Sequence, residues 1–325
     1  MQPYDMPLEK LEQYKPTLNA QPDLRAFWDA TLSEMRDEPW DEQLEAIDYP
    51  VRGVAVHRLQ FRGFHGATIQ AWYARPLMDP EPLPGLVLYH GYNWNYEGNL
   101  QEVVNWALRG YAVVGMSARG QQASGQSMPS PHGHVAGWMT QGILDPDVYY
   151  YRGVYSDAVR TLEWLSRRPQ VDPNRIGVTG GSQGGGLALA AAALSDIPRV
   201  AAVDYPYLCH FRRAVDVAPA GPYGEITEFL RQNGDPAAEA QAFRTLSYFD
   251  VMNLAPWIQA PALISAGLVD QLTPPSTIFA AYNHIGSEEK AIRVFRYFGH
   301  EFIPRFQYEK LGWLKRVLQD GRDIE

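Results

Sequence analysis

Residues 175–194 read RIGVTGGSQGGGLALAAAAL. A short run rich in β-formers leads into a turn where Ser182 stands alone among glycines, and an alanine-rich helix former follows at once. Strand, sharp turn and helix are the context in which a Gly-x-Ser-x-Gly pentapeptide, here Gly180 to Gly184, acts as a nucleophile elbow. The turn forces the serine backbone into a strained conformation, and the glycines let neighbouring backbone pass closely. The hydroxyl is left at a helix N-terminus, where free N–H groups and the positive dipole end favour an oxyanion. Such pentapeptides also occur by chance in Gly/Ser turns, but the flanking strand and helix favour the catalytic reading here. A phosphate loop is disfavoured, because no Gly-Lys-Ser/Thr follows.

A serine hydroxyl needs a base to take its proton, and the base needs an acid to hold its tautomer. In α/β-hydrolases these follow in the order Ser, Asp, His, each on the loop after a strand. Asp270 lies just past an apolar run at Ala262 to Ala266, and His300 just past a run at Ile292 to Phe298. The triad is therefore read as Ser182, Asp270 and His300. His57, His65, His132, His134, His210 and His284 fall in segments that suit surface or structural roles. His90, in LYHGYNW, ends an early strand and shapes the loop that supplies one oxyanion N–H. The two donors are read as the backbone amides of Tyr92 and Gln183.

Short apolar runs at 84–91, 111–120, 199–206, 260–267 and 290–298 join the one at 175–182, and helix formers lie between most of them. That alternation predicts an α/β fold with a mostly parallel sheet and helices on both faces. Residues 51–75 alternate as antiparallel strands do, and Leu24, Phe27, Trp28, Thr31, Leu32 and Met35 recur at helical spacing. One domain is expected over 1–325, with an N-terminal helical extension (1–45) and a helical insertion over the active site (209–250).

The chain has 325 residues, 46% of them hydrophobic, enough for a full-sized core. A net charge of −9 argues against a nucleic-acid or anionic-membrane surface, where clustered Lys and Arg would have to neutralise phosphates. The single cysteine, Cys209, permits no intrachain disulfide and is read as a packed thiol. The longest apolar run, Leu187 to Leu194, is far short of the roughly 20 residues that span a bilayer. These features are read as those of a soluble cytoplasmic protein without membrane or nucleic-acid partners.

Taken together, GGSQGGG, the RGQ at Arg119 to Gln121, the HE at His300 and Glu301, GLVDQLTPPST and the opening residues resemble the cephalosporin C deacetylase and acetyl xylan esterase family, carbohydrate esterase family seven. The resemblance covers nearly the whole chain and implies an α/β-hydrolase fold. It also implies removal of acetyl groups from short xylo-oligosaccharides and cephalosporin C in a cytoplasmic homohexamer; the triad chemistry itself calls for no metal or organic cofactor. By position it carries the same triad and oxyanion donors, and makes Arg119 and Gln121 structural support near the site. The chain departs from the family pattern at Thr273, where many members carry cysteine, and at Gln122 and Ala123, where a glycine pair is usual. Trp94 and Tyr96 are read as substrate-entrance residues and Glu301 as a supporting neighbour of the base, while the aromatics of Tyr149 to Tyr151 suit packing. A prolyl-oligopeptidase-like peptidase and a non-catalytic receptor or scaffold share the fold and are the alternatives: the first needs a gating domain for which the chain leaves little room, and the second usually lacks a triad member.

Overall fold

The computed structural model describes residues 5–78, 82–94, 96–121, 123–125, 137–218 and 221–320, with the side chains of 96–98 left out. Two helices open the chain, α1 (Leu8–Leu11) and α2 (Leu24–Asp37), followed by strands β1 (Gln43–Ile47), β2 (Val54–Arg62), β3 (Thr68–Pro76) and β4 (Leu83–Tyr89). Helix α3 (Tyr96–Ala107), β5 (Ala112–Met116), α4 (Tyr150–Ser166), β6 (Val171–Gly181), α5 (Gln183–Leu194) and β7 (Pro198–Asp204) come next. Then follow α6 (Phe211–Val217), α7 (Tyr223–Asn233), α8 (Pro236–Ser247), α9 (Val251–Leu254), β8 (Ala262–Gly267), α10 (Pro275–His284), β9 (Lys290–Phe295) and α11 (Pro304–Leu318).

The strands form one nine-stranded sheet in the order β1-β2-β3-β5-β4-β6-β7-β8-β9. β1 to β3 pair antiparallel, β3 meets β5 antiparallel, and β5 to β9 run parallel. This is the α/β-hydrolase fold. The N-terminal extension does not end in helix: from Gln43 the chain joins the sheet as the exposed edge strand β1. QLEAI carries little β-forming character, so pairing with β2 selects the strand. Residues 211–247 of the insertion hold α6, α7 and α8.

Alternating side chains on β4 face two apolar layers. Leu86 and Leu88 join the cluster covered by α3 and α11, while Val87 and Tyr89 join the larger one built with α4 and α5. Helix α4 is buried along its whole length from Tyr150 to Leu165, held by the sheet, α5 and α2. Apolar side chains buried this way contribute roughly 1.5–3 kcal/mol each. The chain passes from β4 to β5 on one side and later to β6 on the other, so the strand order reverses at β4. Ligands bind outside the carboxyl ends of strands at such a switch point. Register places the β4 end beside the elbow, with Tyr89 opposite Gly180, and β7 beside it, with Gly181 opposite Asp204.

Candidate active site

Ser182 sits between β6 and α5 with φ 56° and ψ −121°, a conformation that costs a non-glycine residue of order 1–3 kcal/mol. Its N–H donates to Asp204 O (3.0 Å), and its carbonyl accepts from Gly186 N (3.0 Å) and Tyr207 N (2.9 Å). The glycines are required by close approach: a Cβ on Gly184 would fall onto the Tyr89 carbonyl, and one on Gly180 would lie 2.5 Å from the same oxygen. The strain is thus held by backbone crowding and hydrogen bonds on both sides of the serine.

After β8, the fully buried Asp270 carboxylate accepts from the N–H groups of Leu272 (2.8 Å) and Thr273 (2.9 Å) through Oδ1. Its Oδ2 accepts from the Thr273 hydroxyl (2.7 Å) and contacts His300 Nδ1 (2.9 Å). With Nδ1 turned to a carboxylate, His300 carries its proton there and leaves Nε2 as acceptor. The Thr273 hydroxyl also lies 3.2 Å from His300 Nδ1. Tyr205, a non-glycine residue with φ 32°, packs its ring 4.6 Å from that of His300.

Ser182 and His300 line one cavity together with His90, Tyr92, Trp94, Tyr207 and Thr273. Among the described residues no hydrogen bond joins Ser182 Oγ to the His300 ring, a contact that in resting enzymes often tightens only with substrate bound. The amide of Gln183, in the first turn of α5, has no intrahelical acceptor.

The loop after β4 is tied from three sides. His90 accepts from Ala118 N through Nε2 (2.9 Å) and contacts Gly91 O through Nδ1 (2.7 Å), and burial lowers its pKa, so it is a neutral brace. The Tyr92 hydroxyl reaches both oxygens of Glu225 on α7 (2.8 and 2.9 Å), which links the loop to the helical insertion. Desolvation raises the pKa of Glu225 despite these bonds. Gln121 supplies the third tie: Oε1 accepts from Asn93 N (2.9 Å), while Nε2 donates to Tyr150 OH (2.9 Å) and Gln183 Oε1 (3.0 Å). The Gln183 amide returns a bond to Gln121 (3.2 Å), and its Oε1 accepts from Tyr151 OH (2.9 Å). Every lone pair and N–H of the two amide groups is engaged, so the elbow and the loop after β4 are locked to one another.

Arg119 makes a two-point ion pair with Asp157 (both 2.7 Å) and donates to Phe64 O (2.8 Å), all buried away from the cavity. Gly153 leaves room for its guanidinium, since a Cβ there would meet it at 2.5 Å. Glu301 accepts from Gly299 N (3.0 Å) and also borders the cavity. Trp94 lines the mouth and is 57% exposed, whereas the side chain of Tyr96 and residues Gln122, His132 and His134 lie outside the described residues. Cys209 is buried and its thiol pKa is pushed well up by desolvation, as suits a packed thiol.

In the sequence Thr273 stands out only as a departure from the family pattern, and no motif marks Asp204 or Lys310 as site residues. The Lys310 ammonium, buried on α11, pairs with the Asp204 carboxylate (2.5 Å) against the cavity wall. The inward spacing of Gln307, Lys310 and Leu311 on α11 is the signal that could have found them. Among the described residues no helix is long and apolar enough to cross a membrane.

Residues 1–317 match the family model for acetyl xylan esterase (AXE1). The acetyl xylan esterase from Paenibacillus sp. R4 is 41% identical in structural alignment, with a TM-score of 0.92 over 95% of this chain and 99% of that one. Acetyl xylan esterase 1 from Thermoanaerobacterium sp. JW/SL YS485 is 34% identical, with a TM-score of 0.90 over 96% and 99%. Acetyl esterase Axe7A of Xylanibacter ruminicola is 26% identical over 95% of this chain and 70% of its own length. With a family model matched along nearly its whole length, the chain belongs to the acetyl xylan esterase family, whose members are acetyl ester hydrolases.

Proposed function

We propose that the chain is a serine esterase that removes acetyl groups through an acyl-enzyme. Ser182 Oγ attacks the acetyl carbonyl carbon while His300 Nε2 takes its proton. The bond to the alcohol then breaks, and the imidazolium returns that proton to the leaving oxygen. Water, giving a proton to His300, attacks the acetyl-serine; the bond to Ser182 Oγ breaks, the imidazolium returns that proton to Oγ, and acetate and the free hydroxyl are released. Asp270 holds the imidazole tautomer and stabilises the imidazolium. The amides of Gln183 and Tyr92 receive the oxyanion, each donor supplying roughly 2.7–4 kcal/mol at the transition state.

The observation that carries this reading is the hydrogen bond between His300 Nδ1 and a buried carboxylate, with the ring facing a cavity that Ser182 also lines. Family membership supports acetylated xylo-oligosaccharides as substrates, and the resemblance to carbohydrate esterase family seven extends the proposal to cephalosporin C and to a cytoplasmic homohexamer as the working form. Ser182→Ala tests the mechanism: hydrolysis of 4-nitrophenyl acetate falls by roughly 10⁴- to 10⁶-fold. Turnover at the wild-type rate would end the proposal. Each added methylene of the acyl chain lowers kcat/KM by roughly 10- to 200-fold if the acyl pocket is closed, and equal rates on butyrate and acetate would remove the acetyl preference.

A further inference from the structure

The loop after β4 carries Tyr92, an oxyanion donor of the esterase reading, and among the described residues no acceptor takes its N–H. Its side chain is engaged at the far end. The Tyr92 phenol accepts from Trp138 N (2.8 Å) and donates to the Glu225 carboxylate, whose oxygens lie 2.8 and 2.9 Å away. Burial and the facing carboxylate push the Tyr92 pKa well up, so the phenol keeps the proton it donates. Glu225 Oε2 also accepts from Met139 N (3.0 Å). Gly137, with φ 122°, leaves room for this carboxylate, since a Cβ there would lie 2.1 Å from it.

Helix α7 therefore meets the site twice: Pro222, just before its first turn, lines the cavity, and Glu225, one turn later, grips the residue that carries the amide. Asn93, next along the loop, holds φ 53°, a left-handed conformation that a non-glycine residue keeps only where its surroundings over-determine it. Two ties fix Asn93 itself: its N–H donates to Gln121 Oε1 (2.9 Å), and its Oδ1 accepts from Trp138 Nε1 (2.9 Å). The tie on Tyr92 is made by a carboxylate, an acceptor whose hydrogen bonds are roughly twice as strong as those of a neutral one. Misplacing a catalytic group by about 1 Å costs roughly a hundredfold in rate.

We propose that Glu225 is a positioning residue for the oxyanion hole: through the Tyr92 phenol it fixes, from the helical insertion, where the Tyr92 amide stands relative to Ser182. The proposal rests on the esterase reading above and adds which group outside the loop sets one of the two donors. Gln183 takes its place from the elbow, and Tyr92 takes its place from α7.

The test reads the chemistry rather than the fold. Hydrolysis of 4-nitrophenyl acetate is followed for the wild type, Glu225→Ala, Glu225→Gln, Tyr92→Phe and the double variant Tyr92→Phe/Glu225→Ala, per active site counted by endpoint labelling with an organophosphonate. Glu225→Ala lowers kcat roughly 10- to 100-fold and leaves KM within about twofold, because the tie acts on the transition state and not on the bound ester. Acylation and deacylation both pass through an oxyanion, so the burst rate and the steady-state rate fall by a similar factor. Tyr92→Phe cuts the same link and falls as far, and the double variant falls no further than either single one. Glu225→Gln keeps an acceptor for the phenol and recovers kcat to within about threefold. Where Glu225→Ala does not fold, Tyr92→Phe carries the expectation alone. Full kcat in Glu225→Ala or Tyr92→Phe, a loss confined to KM, or multiplied losses in the double variant overturn the positioning role. Ser182→Ala, run beside them, separates the two readings: turnover at the wild-type rate removes the esterase, whereas an inactive Ser182→Ala with fully active Glu225 variants removes only the role of Glu225.

Discussion

Two aspartate and histidine neighbourhoods in this chain use the same residue types with opposite results. At the rim of the sheet, Asp270 spends Oδ1 on two backbone N–H groups and keeps Oδ2 for the Thr273 hydroxyl and the His300 ring. In the insertion, Asp250 gives its oxygens to the N–H groups of His210 (2.7 Å), Phe211 (2.9 Å) and Met252 (2.9 Å). There the His210 ring turns away to the Tyr14 hydroxyl (3.1 Å). His210 stands at the start of α6 with φ 48°, so its amide rather than its ring meets the carboxylate. Where the ring reaches the acid the imidazole is held in one orientation, and where the amide does a helix start is braced.

Variants of both pairs would break this comparison most sharply. His300→Ala lowers kcat on 4-nitrophenyl acetate by about 10⁴-fold or more, and Asp270→Asn by about 10⁴-fold through the wrong tautomer. His210→Ala stays within about threefold of wild type, as expected of a group outside the reaction. A comparable loss in His210→Ala would erase the distinction between the two neighbourhoods.

Thr273 gives a smaller effect. Its hydroxyl shares the carboxylate oxygen that holds His300, so Thr273→Val, which removes one hydrogen bond, lowers kcat about two- to tenfold. Thr273→Ser restores the rate. Equal rates in all three proteins would leave the hydroxyl without a part in positioning the dyad.

The smallest effect appears in stability against pH. Burial raises the Asp250 pKa from 3.8 to about 6, against the pull of its three N–H donors. Burial, with Arg213 and His284 adding and Asp216 opposing, lowers that of His210 from 6.5 to about 4. Asp250 alone therefore favours the fold at low pH and loses that contribution as pH rises from about 4 to 6. His210 alone contributes above about 6.5 and loses it as pH falls towards 4. Between these limits the unfolded chain carries its proton on the imidazole and the folded one on the carboxyl, so the two slopes offset one another. Denaturation of Asp250→Asn should unmask a decline of about 2 kcal/mol as pH falls from 6.5 to 4. His210→Gln should show the reverse trend, and flat profiles in both variants would refute the assignment.

Local pattern made much of the architecture legible. Strand, turn and helix around Ser182 could be read directly because the glycines, the β-formers before them and the alanines after them agree on one local geometry. The parallel strands were visible as short apolar runs, since strands buried on both faces have no polar alternation to confuse them. Edge strand β1 escaped notice, because QLEAI becomes a strand only by pairing with β2. The lock between Gln121 and Gln183 was equally hidden, as it joins residues 62 positions apart through side chains that carry no periodicity.

By itself, then, the order of residues determined the elbow, the alternation of strands and helices, and the family to which the chain belongs, since all of these rest on neighbours in sequence. Only the tertiary structure decided that the Thr273 hydroxyl touches both the Asp270 carboxylate and the His300 ring, that the His210 ring turns to Tyr14 rather than to Asp250, and that Gln307 and Lys310 of α11 meet Asp204. Those outcomes depend on chain segments brought together by burial of the two sheet faces, and no local propensity encodes the approach of one distant side chain to another.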